Sequence, residues 1–85
     1  MYEAQIPRKA QKGLDNLELI DYERVFRAIQ RLKYDPRPRQ AKKLAAQAGN
    51  YYRIRVGEFR IIYEVDDKLK VVYIHRVDRR DKVYR

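Results

Sequence analysis

The run Tyr51 to Val65, YYRIRVGEFRIIYEV, constrains this chain more than any other stretch. Two segments rich in β-branched and aromatic residues flank Gly57-Glu58, the pattern of a β-hairpin with a two-residue loop. Glycine at the first loop position suits a type II′ turn, which needs a positive φ there. The loop then sets the register. Val56 faces Phe59, and the pairs step outward as Arg55 with Arg60, Ile54 with Ile61, Arg53 with Ile62 and Tyr52 with Tyr63. Side chains alternate between faces, so Tyr52, Ile54, Val56, Phe59, Ile61 and Tyr63 form a core face, and Arg53, Arg55 and Arg60 share the other. Like charges placed directly opposite are destabilising, which makes an anionic partner one reading of the arginine face. The other reading is an ordinary solvated face of an antiparallel sheet.

Composition narrows the class. The 85 residues suit one domain, 1–85, of a size that buries only a modest core. There is no cysteine and a single histidine. A disulfide framework, a thiol nucleophile, a thiolate metal site and a histidine metal cluster are therefore excluded, and no metal or other cofactor is expected. The opening MYEAQIPRKAQKG has no apolar h-region, and no stretch reaches membrane-spanning length. The expectation is a soluble, cytoplasmic protein without a membrane partner. Twenty-one Lys and Arg against twelve Asp and Glu give a formal charge of +9, which points to nucleic acid, an acidic protein or an anionic surface. A hydrophobic fraction of 45% belongs to a globular domain rather than a disordered basic tail.

Taken in order, Tyr2 to Ile6 alternates as a short first strand. Pro7 fits a helix start, and a helix to about Asn16 places Ala10, Leu14 and Leu17 on one side, with Gly13 weakening it by roughly 1 kcal/mol relative to Ala. Asp21 fits the N-cap of a second helix running to about Tyr34, with Tyr22, Val25, Phe26, Ile29 and Leu32 at helical spacing toward the core. Asp35-Pro36 ends it. Arg24, Arg27 and Arg31 fall on the opposite side, either as a solvated face or as a basic stripe for phosphate backbones. The following segment carries Arg37, Arg39, Lys42 and Lys43; Lys42 to Gln47 suits a helical turn, with Leu44 as its anchor. After the hairpin, Asp66-Asp67-Lys68 reads as a turn and Leu69 to Val77 as a last strand. His75 reaches the arginine face, opposite Arg60, if that turn has an even number of residues, and the core face if odd. The tail VDRRDKVYR adds Arg79, Arg80, Lys82 and Arg85. The expected architecture is α+β: two N-terminal helices packed on one face of a small antiparallel sheet, in the order strand, helix, helix, three-strand meander.

The runs KKLAAQAGNYYRIRVGEFRIIYEVDD and VVYIHRVDRRDKVYR, above all the YRIRVGEFRIIY hairpin and the closing RRDKVYR, resemble the RelE/ParE superfamily of bacterial and archaeal toxins. The resemblance implies the same α+β fold. RelE-type members cut messenger RNA in the ribosomal decoding site; ParE-type members poison DNA gyrase and lack the nuclease residues. RelE-type chemistry uses basic residues on the strand before the hairpin turn, an arginine after it, and an arginine and a tyrosine near the C-terminus. By resemblance these fall on Arg53, Arg55, Arg60, Arg80 and Tyr84, which favours the RelE type. Two departures stand out: Asp78-Arg79 replaces the usual Gly-His or Gly-Lys, and arginine replaces the lysine often found at the first two sites.

The resemblance implies a metal-independent endoribonuclease, with a cognate antitoxin, ribosomal RNA and messenger RNA as partners. Arginine cannot deprotonate in a protein, so Arg53 and Arg55 would stabilise charge rather than carry protons. Tyr84 would be the base, with Arg80 favouring its phenolate. Arg24, Arg27, Arg31, Lys42 and Lys43 would bind RNA backbone. A gyrase inhibitor and a non-enzymatic basic RNA-binding module are the alternatives.

Overall fold

A computed structural model describes residues 1–44 and 50–79. The elements run β1 (Glu3–Gln5), α1 (Arg8–Asp15), α2 (Leu19–Leu32), β2 (Lys42–Lys43), β3 (Tyr51–Val56), β4 (Phe59–Asp66) and β5 (Val71–Arg79). The strands form one five-stranded sheet in the order β1-β5-β4-β3-β2. β1 joins β5 in parallel, and the remaining pairs are antiparallel. The α+β architecture is as expected, with the helices on one face. Strand β1 makes the sheet mixed, and β2 adds a strand that a two-residue Lys-Lys segment does not announce.

The hairpin has the expected register, pair for pair from Val56 with Phe59 to Tyr52 with Tyr63. Gly57 has φ +61, whereas Glu58 does not take a positive φ. That is the signature of a type II′ turn rather than I′. The core face is buried as the alternation requires: Tyr52, Ile54, Phe59, Ile61, Tyr63 and Val65, with Val56 packed at its rim. Val72, Ile74 and Val77 of β5 continue this face, and Ala10 and Leu14 of α1 with Val25, Ile29 and Leu32 of α2 cover it.

Several expectations shift. The second helix begins at Leu19, with Glu18 rather than Asp21 at its N-cap. Phe26 lies outside the core, 37% exposed, and stacks on Tyr22 at 5.8 Å. It sits about 100° around the helix from Val25, beyond the stripe that meets the sheet. Lys42 and Lys43, expected in a helical turn, pair as a strand with Arg53 and Tyr52; residues 45–49 lie outside the described set. Leu44 is half-buried, and among the described residues of this segment Ala41 packs against the core. Gly13 has a positional reason: a Cβ there would clash with the backbone carbonyl oxygen of Val77, so α1 lies directly on β5.

The β4–β5 pairing carries a bulge. Asp66 pairs with Val71 across a four-residue turn, Tyr63 with Ile74, but Ile62 with Arg76, which leaves His75 as the extra residue. The even turn puts His75 on the arginine face, as the parity argument required. Asp78, not His75, stands opposite Arg60. Without the extra residue Val77 would face Arg60; with it, Val77 returns to the core and a carboxylate meets the guanidinium.

Arg37 ties the connector down. Its Nε donates to the Tyr52 hydroxyl at 2.8 Å, and its guanidinium holds Asp67 through two bonds of 3.2 and 2.8 Å. Tyr2 donates to the same carboxylate at 2.7 Å. These contacts hold Asp67 below the ordinary carboxylate range, chiefly through the Arg37 bond. The buried Tyr63 hydroxyl donates to the Pro36 carbonyl at 2.8 Å, and burial pushes its pKa well above the usual tyrosine value.

Candidate nucleic-acid interface

The sheet face opposite the helices is laid out in rows by the strand register. One row is Arg55, Arg60, Asp78; the next is Lys42, Arg53, Ile62, Arg76; the third is Tyr51, Glu64, Tyr73, Gln5. Paired residues share a face, and successive same-face rows lie about 6.6–6.8 Å apart. Five cations, Lys42, Arg53, Arg55, Arg60 and Arg76, therefore occupy two neighbouring rows, with Asp78 as the carboxylate among them.

Asp78 holds two of these cations. Arg60, only 8% exposed, donates through Nε to one carboxylate oxygen at 3.3 Å, and Arg76 reaches the other at 2.7 Å. The repulsion between Arg55 and Arg60 is thus offset from Arg60's other side, and the Arg60 side chain is held in place. Arg53 and Arg55 make no side-chain ion pair among the described residues. Arg79 bridges from the last strand to Glu58 of the hairpin turn at 3.0 Å and lies over the Phe59 ring.

The helix arginines are closer to this face than their position on the far side of α2 suggests. Arg24, Arg27 and Arg31 line a groove of about 660 Å³ whose other wall is Ile54, Arg55, Val56 and Gly57. The Arg24 guanidinium comes within 3.2 Å of where a Cβ on Gly57 would sit. Among the described residues, strand β2 pairs with β3 at Tyr52 and Arg53, and the stretch Ile54 to Gly57 forms the groove wall. Arg55 links the two surfaces, so the helix stripe and the sheet face share a rim. Lys43 is exposed beside Tyr52, and Lys42 extends the row of Arg53. Arg80 and Tyr84 lie outside the described residues.

The third row holds a cluster that the sequence reading did not assemble. His75 Nε2 lies 3.2 Å from Glu64 Oε1, and its ring packs against Tyr51 at 4.9 Å and Tyr73 at 4.7 Å. Partial burial, then the adjacent Glu64 carboxylate and its hydrogen bond, raise the Tyr51 pKa above its ordinary value. The signal was available for Tyr51 and Glu64, which form the next pair of the hairpin ladder. It was not available for His75, whose position depends on the bulge.

A family model described as ParE toxin of type II toxin-antitoxin system, parDE, matches residues 5–84. A protein of Methanocaldococcus jannaschii named as a candidate toxin, RelE1, is 26% identical over 86 residues, covering 99% of this chain and 96% of its own. A chain of the archaeal RelE–RelB complex from Pyrococcus horikoshii OT3 superposes with a TM-score of 0.83 at 32% identity, over 93% of this chain and 94% of that one. A chain of the toxin–antitoxin complex RelBE2 from Mycobacterium tuberculosis gives 0.81 at 28% identity, over 93% and 98%. With the family model spanning nearly the whole sequence and the fold shared throughout, the chain belongs to the RelE/ParE family of toxins of type II toxin–antitoxin systems.

Proposed function

We propose that this toxin is a ribosome-dependent, metal-independent endoribonuclease that cleaves messenger RNA in the decoding site and stops translation. The observation that carries the reading is the cationic face: Arg53, Arg55 and Arg60 in adjacent rows of one sheet surface, with Arg60 oriented by Asp78. Cleavage without a metal begins with attack of a ribose 2′-oxygen on the adjacent phosphorus. The 2′-hydroxyl proton goes to a base, the bond from phosphorus to the 5′-oxygen breaks, and that oxygen takes up a proton. The phosphorane formed on the way carries extra negative charge. Preorganised donors aimed at such charge contribute about 10²- to 10³-fold each in rate. Arg53, Arg55 and Arg60 supply that clamp but no proton. Tyr84 is the proposed base. A free tyrosine ionises near pH 10, and a neighbouring cation, the role proposed for Arg80, would favour the phenolate.

Arg24, Arg27, Arg31, Lys42 and Lys43 are assigned to RNA backbone. The proposed cellular partner is a cognate antitoxin, as the RelE–RelB complexes among the structural relatives suggest. Its binding segment is expected to be extended and acidic, folding over the basic surface. Expression of the toxin should arrest translation, with primer extension showing cuts inside translated codons. Arg60→Ala and Tyr84→Phe should each abolish the cuts. The matching of a ParE family model supports one second reading, gyrase inhibition. Blocked supercoiling by purified gyrase, with messenger left intact, would establish it instead.

A further inference from the structure

We propose that Tyr51, Tyr73 and His75 form a stacking subsite for an unpaired RNA base, one row beyond the arginines that hold the phosphates; the inference rests on the endoribonuclease reading above. The three rings stand on the outer sheet face, apart from the core, and each keeps part of its surface exposed. Their orientation is fixed from below. Glu64 sits between Tyr51 and Tyr73 in the ladder and lies 3.2 Å from the imidazole. The bulge at His75 swings its ring over the central strand until it lies 4.9 Å from Tyr51, two strands away.

The distribution of charge selects a base rather than a phosphate. The first two rows are cationic, whereas the hollow of about 320 Å³ beside Tyr73 and His75 is lined by Glu64, Asp66 and the Gln5 amide. Carboxylates repel a phosphate and accept from the N–H groups on a base edge. The ring row lies about 6.6–6.8 Å from the Arg53 row and about 13 Å from the Arg55–Arg60 row. A strand whose phosphates cross the arginines thus delivers a neighbouring base to the rings. Unpaired RNA bases characteristically stack on Tyr and His rings in this way.

The chain's single histidine makes the test direct, because its ring proton resonances cannot be confused with others. The full chain is titrated with 2′-O-methyl RNA tetranucleotides, which cannot be cleaved, and with abasic tetranucleotides carrying the same phosphates. Base-bearing oligomers should move the His75 ring protons upfield, and abasic ones should not. Tyr51→Leu and Tyr73→Leu should each weaken binding about tenfold or more, whereas Tyr51→Phe, which keeps the ring, should bind like the parent. Equal His75 shifts from both oligomers, or none, would overturn the subsite. So would a His75 response to antitoxin peptide but not to RNA, which would make the rings a protein contact. Loss of the parent reading looks different: ribosomal messenger would stay intact with the unmodified toxin, whatever His75 does.

Discussion

At the scale of single residues, the Arg60–Asp78 contact separates structure from ligand binding. Arg60 is buried and faces Arg55, so removing Asp78 leaves a desolvated guanidinium against a like charge. Asp78→Ala should lower stability by about 1–3 kcal/mol or more, seen as a lower denaturant midpoint with an unchanged slope. Arg76→Ala breaks a bond to the same carboxylate from an exposed position and should change stability by less than about 1 kcal/mol. Tyr63 gives a pH signature. Its folded pKa is raised, so the unfolded chain releases this proton near pH 10 while the folded chain retains it. The stability it contributes is full below pH 10 and falls as pH rises beyond. Alkaline melting should therefore steepen above pH 10, and Tyr63→Phe should flatten that limb while costing about 1 kcal/mol at neutral pH through the lost bond to Pro36.

At the scale of elements, the hairpin was legible because one glycine and strict alternation fix turn, register and face together. The bulge was not. An extra residue in β5 leaves no mark in VVYIHRVDR, yet it decides which residue meets Arg60. Strand β2 was hidden because two lysines give no apolar alternation. Phe26 was misplaced because apolar spacing shows which side of a helix can be buried, not how wide a strip the sheet covers. The arginines at 53, 55 and 60 were read from the ladder, whereas the ring cluster needed β5 in register. Gly13→Ala tests the α1–β5 contact against local propensity. Helix propensity alone favours alanine by about 1 kcal/mol, but the clash with the Val77 carbonyl should reverse the sign, to a net loss of about 1–3 kcal/mol in thermal or denaturant melts. Replacing Arg24, Arg27 and Arg31 together by Ala should weaken ribosome association and reduce its salt slope by about one per lost phosphate contact. Because these side chains share a rim with Arg55, the single-turnover cleavage rate on saturated ribosomes decides whether they act only in docking. An unchanged rate is expected.

At the scale of the whole molecule, the parallel pairing of β1 with β5 ties the first described strand to the last, Glu3 with Val71 and Gln5 with Tyr73. The Tyr2 bond to Asp67 spans nearly the same separation. During synthesis β1 has no strand partner until β5 has left the exit tunnel, an interval of roughly 3–13 s at about 5–20 residues per second. Pairing so distant in sequence also slows closure of the sheet. The cationic face needs β5 as well, since Asp78 and Arg76 come from it. A nascent copy whose β5 is still inside the exit tunnel therefore lacks both the finished sheet and the paired Arg60. Vectorial synthesis thus postpones the cationic face as a whole, because its buried guanidinium and the carboxylate that neutralises it are made 18 residues apart.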